Sequence, residues 1–178
     1  GARLWNLFNL SSEGMLWVSP ESRILQANPA AGRIFRREVA EMIGQHWFEL
    51  SDAHLRADGS TAAPDEIRAF IQSARAAPIT DFVMGLRRAG RDDVWISLTT
   101  APVFDAAGAH QYTLASFRDV TEKVLAEQAR AQVEEALRQS EGQLRLLFDT
   151  MSEGLLLVNA ERSEERSVGK ECMPVCRS

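Results

Sequence analysis

Ile24-Leu-Gln-Ala-Asn-Pro-Ala-Ala31 joins a short strand to the start of a helix. Asn28 can accept hydrogen bonds from the free amides of a helix N-terminus, and Pro29 suits the first helical position because no backbone donor is needed there. Upstream, Met15 to Ser19 has the composition of a strand, and Pro20-Glu-Ser-Arg23 is a turn sequence. The sequence therefore predicts a hairpin that leads directly into a helix with Asn28 as its structural cap.

Three β-rich runs follow at residues 81–89, 94–104 and 112–117, separated by turn residues around Gly90 and Gly108. Apolar side chains alternate along them, which is typical of strands with one buried face. The apolar spacing between the two sets of strands predicts helices at 29–35, 38–43 and 65–74. The sequence therefore predicts an α+β fold, with a five-stranded antiparallel sheet, short helices on one face and a long amphipathic helix after the last strand.

That long helix begins near residue 121, because residues 121–139 contain no Gly or Pro and are rich in Ala, Glu, Gln, Arg and Leu. Spacings of four and three, as in a coiled-coil seam, relate Val133, Leu137, Ser140, Leu144, Leu147 and Met151. Gly142 and the capping-box pair Ser140 and Gln143 leave two alternatives open: a helix continuous from 121 to 151, or a break before residue 144. A further alternative is a single helix that packs on its own domain.

Residues 4–18 recur at residues 144–158 at a constant offset of 140 positions. The identical positions are Leu4, Leu7, Phe8, Ser12, Glu13, Gly14, Leu16 and Val18. In each copy an apolar helical stripe runs into Ser-Glu-Gly and then into a strand-like run, so residues 144–160 are expected to begin a second domain of the same kind. Residues 161–178 show no periodicity and are expected to be an unstructured, non-native tail.

The composition argues against several classes of partner. The 178 residues include 25 acidic and 20 basic side chains, with a formal net charge of -5 and no basic block suited to a phosphate backbone. No apolar run approaches the length of about 20 residues that a membrane helix needs. Cys172 and Cys176 are the cysteines of the chain, so residues 1–171 offer no thiolate. We therefore expect no nucleic-acid partner, no membrane contact in this segment and a cytoplasmic location.

Several short motifs, taken in order, resemble the PAS family over residues 1–121. They are Gly14, Ile24-Leu-Gln-Ala-Asn-Pro-Ala-Ala31, Ile43-Gly44 and Asp119-Val-Thr-Glu122, with subtype features at Ala57-Asp-Gly-Ser60, Arg87-Arg-Ala-Gly90, Val94-Trp-Ile96 and Ala101-Pro-Val-Phe-Asp105. The family often carries Gly just after the position of Phe35, where this chain has Arg36. The resemblance implies a PAS domain at 1–121, a coiled-coil-like linker helix at 122–143 and the truncated start of a second PAS domain at 144–160.

The resemblance further implies a sensory role, in which a small ligand or a conformational signal is passed to the C-terminal helix. The residues that could line a ligand pocket are Phe35, Trp47, Phe70, Trp95 and Phe117. Aromatic residues at these spacings also suit an ordinary core. Asp119 and Thr121 resemble the family's Asp-Ile-Thr signature at the exit of the last strand, and they are expected to relay the signal.

Cofactors are limited by the same resemblance. Flavin-adduct photoreceptors of the family need a cysteine near Asn28, and its absence excludes that chemistry. The family's haem binders place an axial histidine on the helix that corresponds to residues 65–76, which contain no histidine, and this argues against haem. His46, His54 and His110 are expected in ordinary surface or capping roles. The cofactor stays unknown, and no metal site is expected.

No catalytic constellation is present, so the fragment is not expected to be an enzyme. The function hypothesis is a sensory and dimerisation module of a bacterial multidomain signalling protein, with a sensor histidine kinase of a two-component system preferred. The expected partners are a second copy of the chain, through the linker helix, and a downstream output domain outside this fragment. Two alternatives stay open: a ligand-free scaffold domain, and the sensor part of a diguanylate cyclase or phosphodiesterase.

Overall fold

An antiparallel sheet with helices is formed by residues 1–168, which are those that the computed structural model describes. The helices are α1 (Ala2–Leu10), α2 (Pro29–Phe35), α3 (Val39–Met42), α4 (Pro64–Ala76) and α5 (Thr121–Val168). The strands are β1 (Gly14–Val18), β2 (Ile24–Ala27), β3 (Ala53–Leu55), β4 (Ile79–Arg87), β5 (Val94–Phe104) and β6 (His110–Asp119). A 3-10 turn spans Trp47–Glu49.

The sheet has the order β2-β1-β6-β5-β4-β3, and every neighbouring pair is antiparallel. This confirms the predicted α+β class, but the sheet has six strands where the sequence predicts five. The additional strand is β3, which pairs with the end of β4 so that His54 lies opposite Leu86. Three residues are too few to show a period of two, so only pairing across the sheet reveals this strand.

Two of the helices begin with proline after an extended residue. α2 starts at Pro29 and α4 at Pro64, in agreement with the start signals in the sequence. At α4 the Glu66 carboxylate also accepts a hydrogen bond from the Ala63 amide at 3.2 Å. These local signals fix where each helix begins, and the apolar face of each helix then packs toward the sheet.

The core lies between the inner face of the sheet and these helices. Phe117 is 2 % exposed, and its ring meets that of Phe35 edge to face at 5.5 Å. A Cβ atom at Gly14 would overlap the Phe117 ring, so β1 needs glycine at this position. Burying an aromatic side chain of this kind contributes about 1.5–3 kcal/mol. The core thus depends on one close approach between β1 and β6.

The chain divides into two compact units, Gly1–Leu125 and a second unit that begins at Ala126. In the second unit α5 continues without a break to Val168. Residues 155–158 are therefore helical where the repeat predicts a strand, and residues 161–168 are helical where an unstructured tail is predicted. Cys172 and Cys176, with the rest of that predicted tail, lie outside the described residues. No helix within residues 1–168 has both the length and the apolar character needed to cross a membrane.

The helical state of residues 155–158 has a physical reason. Their counterpart β1 is held by hydrogen bonds to β2 on one side and β6 on the other. A strand without partners leaves its backbone groups unpaired, whereas a helix satisfies them internally. Within residues 1–168 no strand pairs with 155–158, so the helix is the better state there. A second PAS domain that begins at residue 144 stays a prediction.

Candidate functional site

Phe35, Trp47, Phe70 and Phe117 border an internal cavity of about 70 Å³ between the sheet and the helices, here named the central cavity. These are four of the five aromatic residues that the sequence assigns to a pocket. Most of the remaining wall is aliphatic, from Leu16, Val18, Ile71, Ala74, Met84, Leu86, Ile96, Leu98 and Ala115. A water molecule needs about 10–15 Å³ on a comparable measure, so the central cavity has room for a few waters or a very small molecule.

Trp95 does not border the central cavity, which corrects the sequence-based assignment. Its neighbour Ile96 points into the cavity, and successive side chains of a strand point to opposite faces. Trp95 lies opposite Gly85 in the sheet, and a Cβ atom at Gly85 would be 3.1 Å from the Trp95 ring. The alternation along β5 could have predicted this orientation, because Ile96 and Leu98 lie on the same face of the strand and Trp95 lies on the other.

The central cavity has a small polar side that the sequence did not reveal. Ser22 Oγ accepts a hydrogen bond from Arg75 Nη2 at 3.2 Å, and both residues border the cavity. Thr100 also borders the cavity, and its Oγ1 is buried with no hydrogen-bond partner within the described chain. Isolated hydroxyl residues in separate elements follow no sequence pattern, so only the folded chain brings them together. Arg75 is the cationic residue of this wall, and the hydroxyl residues are Ser19, Ser22, Thr100 and Thr113.

Asn28 connects three elements through one fully buried side chain. Its Oδ1 accepts hydrogen bonds from the Ala31 amide at 2.9 Å, which caps α2, and from the Met15 amide of β1 at 2.8 Å. Its Nδ2 donates to the carbonyls of Phe8 and Glu13, each at 2.9 Å. The side chain therefore fastens α1 and β1 to α2 in addition to capping the helix.

Asp119 and Thr121 form a hydrogen-bonded junction at the start of α5. Asp119 Oδ1 accepts from the Thr121 amide at 2.9 Å and from the Thr121 hydroxyl at 2.5 Å. Thr121 Oγ1 in turn accepts from the Trp95 amide at 2.9 Å, and the Val120 amide donates to the Trp95 carbonyl at 2.8 Å. The first turn of α5 is thus fastened to β5 as well as to β6, from which it emerges.

Arg36 stands where the PAS family often carries glycine, and it adopts a left-handed conformation with φ 52° and ψ 47°. Its amide donates to the carbonyls of Arg33 and Gly32, which ends α2. Glycine enters this conformation without steric cost, whereas other residues do so at some cost. The turn that the family pattern requires is therefore present despite the substitution.

The three histidines have different surroundings. His46 stacks on Phe48 at 5.0 Å, and His110 Nε2 lies 2.8 Å from Thr113 Oγ1. His54 is 4 % exposed, and burial lowers its pKa from the usual 6.5. Among residues 1–168 no group of three or more His, Cys, Asp or Glu side chains could hold a metal ion.

An antiparallel sheet covered on one face by short helices, a cavity between these layers and a helix leaving the last strand define a PAS-type sensory domain. The PAS fold family model matches residues 8–125, and the chain belongs to this family. No curated protein matches the chain by sequence.

Solved structures give the same fold at low sequence identity. An RNA-binding light-oxygen-voltage receptor matches with a TM-score of 0.62 and 21% identity over 76% of this chain and 37% of the receptor. The chain therefore spans little more than a third of that receptor's length. A PAS domain from Colwellia psychrerythraea matches with a TM-score of 0.56 and 15% identity over 68% of this chain and 97% of that domain. The PAS domain of an HTR-like protein from Haloarcula marismortui has a TM-score of 0.51 at 15% identity, over 66% and 89% of the two chains.

Proposed function

We propose that this chain is the sensory and dimerisation module of a bacterial, cytoplasmic multidomain signalling protein, with a sensor histidine kinase as the preferred context. The module itself carries no catalytic activity, and a downstream domain supplies the output. A diguanylate cyclase or phosphodiesterase is the alternative context. Membership of the PAS fold family supports the sensory part of the proposal.

The observation that carries this proposal is the junction between β5 and the first turn of α5. Ile96 borders the central cavity. The backbone of the adjacent Trp95 bonds to the Val120 amide and to the Thr121 side-chain hydroxyl. An occupant of the cavity that displaces Ile96 would therefore also move the next residue, Trp95, whose hydrogen bonds position α5. Asp119, which lies opposite Ile96 in the sheet, completes the junction.

The relay is tested in the full-length protein by replacing Asp119→Ala and Thr121→Ala together. The output domain should keep its basal activity but lose its response to the stimulus, because the sheet no longer positions the first turn of α5. Asp105→Ala is the matched control. Asp105 Oδ1 also accepts two amide hydrogen bonds, from Ala107 and Ala109, but in the distant β5–β6 turn. Unchanged regulation in the double variant, or equal loss in the control, would contradict the relay.

Dimerisation through α5 is supported by its exposed apolar seam. Val133, Leu137, Leu144, Leu147 and Met151 are each more than half exposed in the single chain. A helix of 48 residues extends about 70 Å, and such a stripe is stable in water when a second helix covers it. Two parallel copies of α5 would bury the seam and could carry a rotation toward the output domain.

A ligand-free scaffold is the second candidate function, because the central cavity is small. Ligand pockets usually have volumes of about 300–1,000 Å³, well above the 70 Å³ seen here. Native mass spectrometry of the purified chain separates the two candidates. A bound small molecule, released on denaturation, supports sensing; a dimer without bound mass whose unfolding midpoint no small molecule shifts supports the scaffold.

A further inference from the structure

A second cavity, with a volume of about 220 Å³, lies at the β3 edge of the sheet and is named the edge cavity here. Trp47, Phe70 and Met84 border both cavities. His54 and Ala62 border the edge cavity and not the central one. The edge cavity is thus a neighbouring space with its own chemistry, and it is about three times larger than the central cavity.

His54 supplies the buried polar group of this cavity. The residue is 4 % exposed, and its Nε2 is buried with no hydrogen-bond partner among residues 1–168. An unsatisfied buried polar atom costs about 1–3 kcal/mol. The imidazole cannot easily turn away, because its ring packs edge to face on Trp47 at 5.3 Å. The fold therefore holds one unused hydrogen-bonding atom in a residue that borders the edge cavity.

The remaining wall is rich in aromatic rings. The rings of Phe70 and Phe82 lie 5.1 Å apart, and that of Trp47 lies 6.1 Å from Phe70. Aromatic rings at such separations form offset and edge-to-face contacts, and a planar ring of a ligand can join them in the same way. The aromatic composition of the wall thus favours a flat apolar molecule.

Charge at the rim of the edge cavity is already balanced. Arg56 and Glu66 form an ion pair, in which Arg56 Nε donates to Glu66 Oε2 at 2.9 Å. Arg56 Nη1 also donates to Ser60 Oγ and to the Thr61 carbonyl. Burial lowers the pKa of His54 and so favours the neutral imidazole, in which one ring nitrogen can accept a hydrogen bond. An ionic ligand would lose its hydration here without gaining a free counter-charge.

We propose that the edge cavity binds a neutral planar aromatic molecule, of the size of phenol or indole, that donates one hydrogen bond to His54 Nε2. A cavity of about 150 Å³ in another protein accepts benzene, so 220 Å³ suits a ring of this size with one polar group. This proposal goes beyond the sensory relay and does not depend on it, since binding at the edge cavity can be measured whether or not α5 transmits a signal.

Calorimetric titration of the whole chain with indole and benzofuran tests the hydrogen bond, because these ligands have the same shape and only indole has an N–H donor. Indole should bind about fivefold more tightly than benzofuran, as one neutral hydrogen bond implies. His54→Phe should weaken indole to the level of benzofuran and leave benzofuran unchanged. In the unaltered chain, the nitrogen NMR signal of His54 Nε2 should shift with indole and not with benzofuran, and this readout does not depend on the folding of a variant.

Matched filling variants locate the site. Ala62→Leu fills the edge cavity and should abolish indole binding. Ala74 borders the central cavity and not the edge cavity, so Ala74→Leu should leave indole binding unchanged. The proposal is overturned if neither ligand binds at millimolar concentration, if both bind equally in the unaltered chain, or if Ala74→Leu rather than Ala62→Leu removes binding. Equal binding of the two ligands would show that the ligand makes no hydrogen bond to His54. Loss of binding in Ala74→Leu would show that the ligand lies in the central cavity.

Discussion

Asn28 shows how much one residue can contribute when its side chain is fully buried and all of its hydrogen-bonding groups are used. The Asn-Pro pair in the sequence predicts a helix cap, and the observed bond to the Ala31 amide has that geometry. The other three bonds join Asn28 to Phe8, Glu13 and Met15, which lie 13 to 20 positions away. Local sequence cannot predict these three hydrogen bonds, because they form only once α1 and β1 are in place.

Asn28→Ala is expected to lower the free energy of unfolding by about 3 kcal/mol. The substitution leaves two amides and two carbonyls without a partner. Only the hydrogen bonds to Ala31 and Phe8 are fully buried, and two buried unsatisfied groups at about 1–3 kcal/mol each account for a loss of this size, since water can reach the other two. Urea denaturation followed by circular dichroism measures the change. Asn6→Ala, at an exposed position on α1, is the control and should change the value by less than about 0.5 kcal/mol. Equal stability of the two variants would show that the Asn28 network contributes little.

The pocket residues illustrate the limit of residue-level reasoning. Aromatic content and position along the chain were enough to select Phe35, Trp47, Phe70 and Phe117, all of which border the central cavity. Trp95 was also assigned to the pocket but does not border the central cavity, because hydrophobic character does not show which face of a strand a residue occupies. The sequence did not identify Thr100 as a residue of the cavity wall, since a single hydroxyl in a strand has no distinguishing sequence pattern.

At the scale of elements, β1 and its repeat at residues 154–158 take different secondary structures. The positions of 4–18 that are buried are Phe8, Gly14, Leu16 and Val18, and all four recur identically in residues 144–158. The repeat thus keeps the side chains that fill the core and changes several of those facing outward. This agreement supports the prediction of a second domain, in which residues 155–158 would form a strand when partner strands are present.

The seam of α5 makes an element-scale prediction. Leu144→Asp with Leu147→Asp should convert a dimer of the chain into a monomer, because two carboxylates would be buried at the helix–helix interface. Sedimentation equilibrium measures the mass. Leu146→Asp is the matched control, since Leu146 is 68% exposed but lies off the seam. A dimer that survives the double substitution, or a monomer before it, would rule out assembly through this seam.

For the whole domain, the dependence of stability on pH follows from His54. The unfolded chain binds a proton near the usual pKa of 6.5, whereas burial lowers the pKa of His54 in the folded state. The unfolded state therefore holds more protons just below pH 6.5, and the free energy of unfolding should fall as the pH decreases from 7.5 to 5.5, by at most about 1.4 kcal/mol per pH unit from this group. His54→Phe should flatten that slope in urea denaturation series.

Other groups act in a separate range of pH. Hydrogen bonds from Ser60 and Arg56 respectively lower the pKa values of Asp58 and Glu66 below the usual 3.8 and 4.5. The stabilisation that Asp58 and Glu66 contribute is lost only as the pH falls below their usual pKa values and through their lowered ones. This loss therefore lies below the pH range of 7.5 to 5.5 in which His54 acts. An equal slope between pH 7.5 and 5.5 in the unaltered chain and in His54→Phe would show that His54 does not govern this dependence.

Short-range patterns in the amino-acid order were sufficient for the class of fold, the positions of five strands, the starts of α2 and α4 and the helical preference of α5. These features depend on side-chain periodicity and on capping, which act within a few residues. Folding in three dimensions was needed to establish β3, the orientation of Trp95, the unpartnered atoms of Thr100 and His54, and the helical state of residues 155–158. Each of these depends on which distant strand or side chain is within bonding distance, and contacts across the sheet leave no local periodicity.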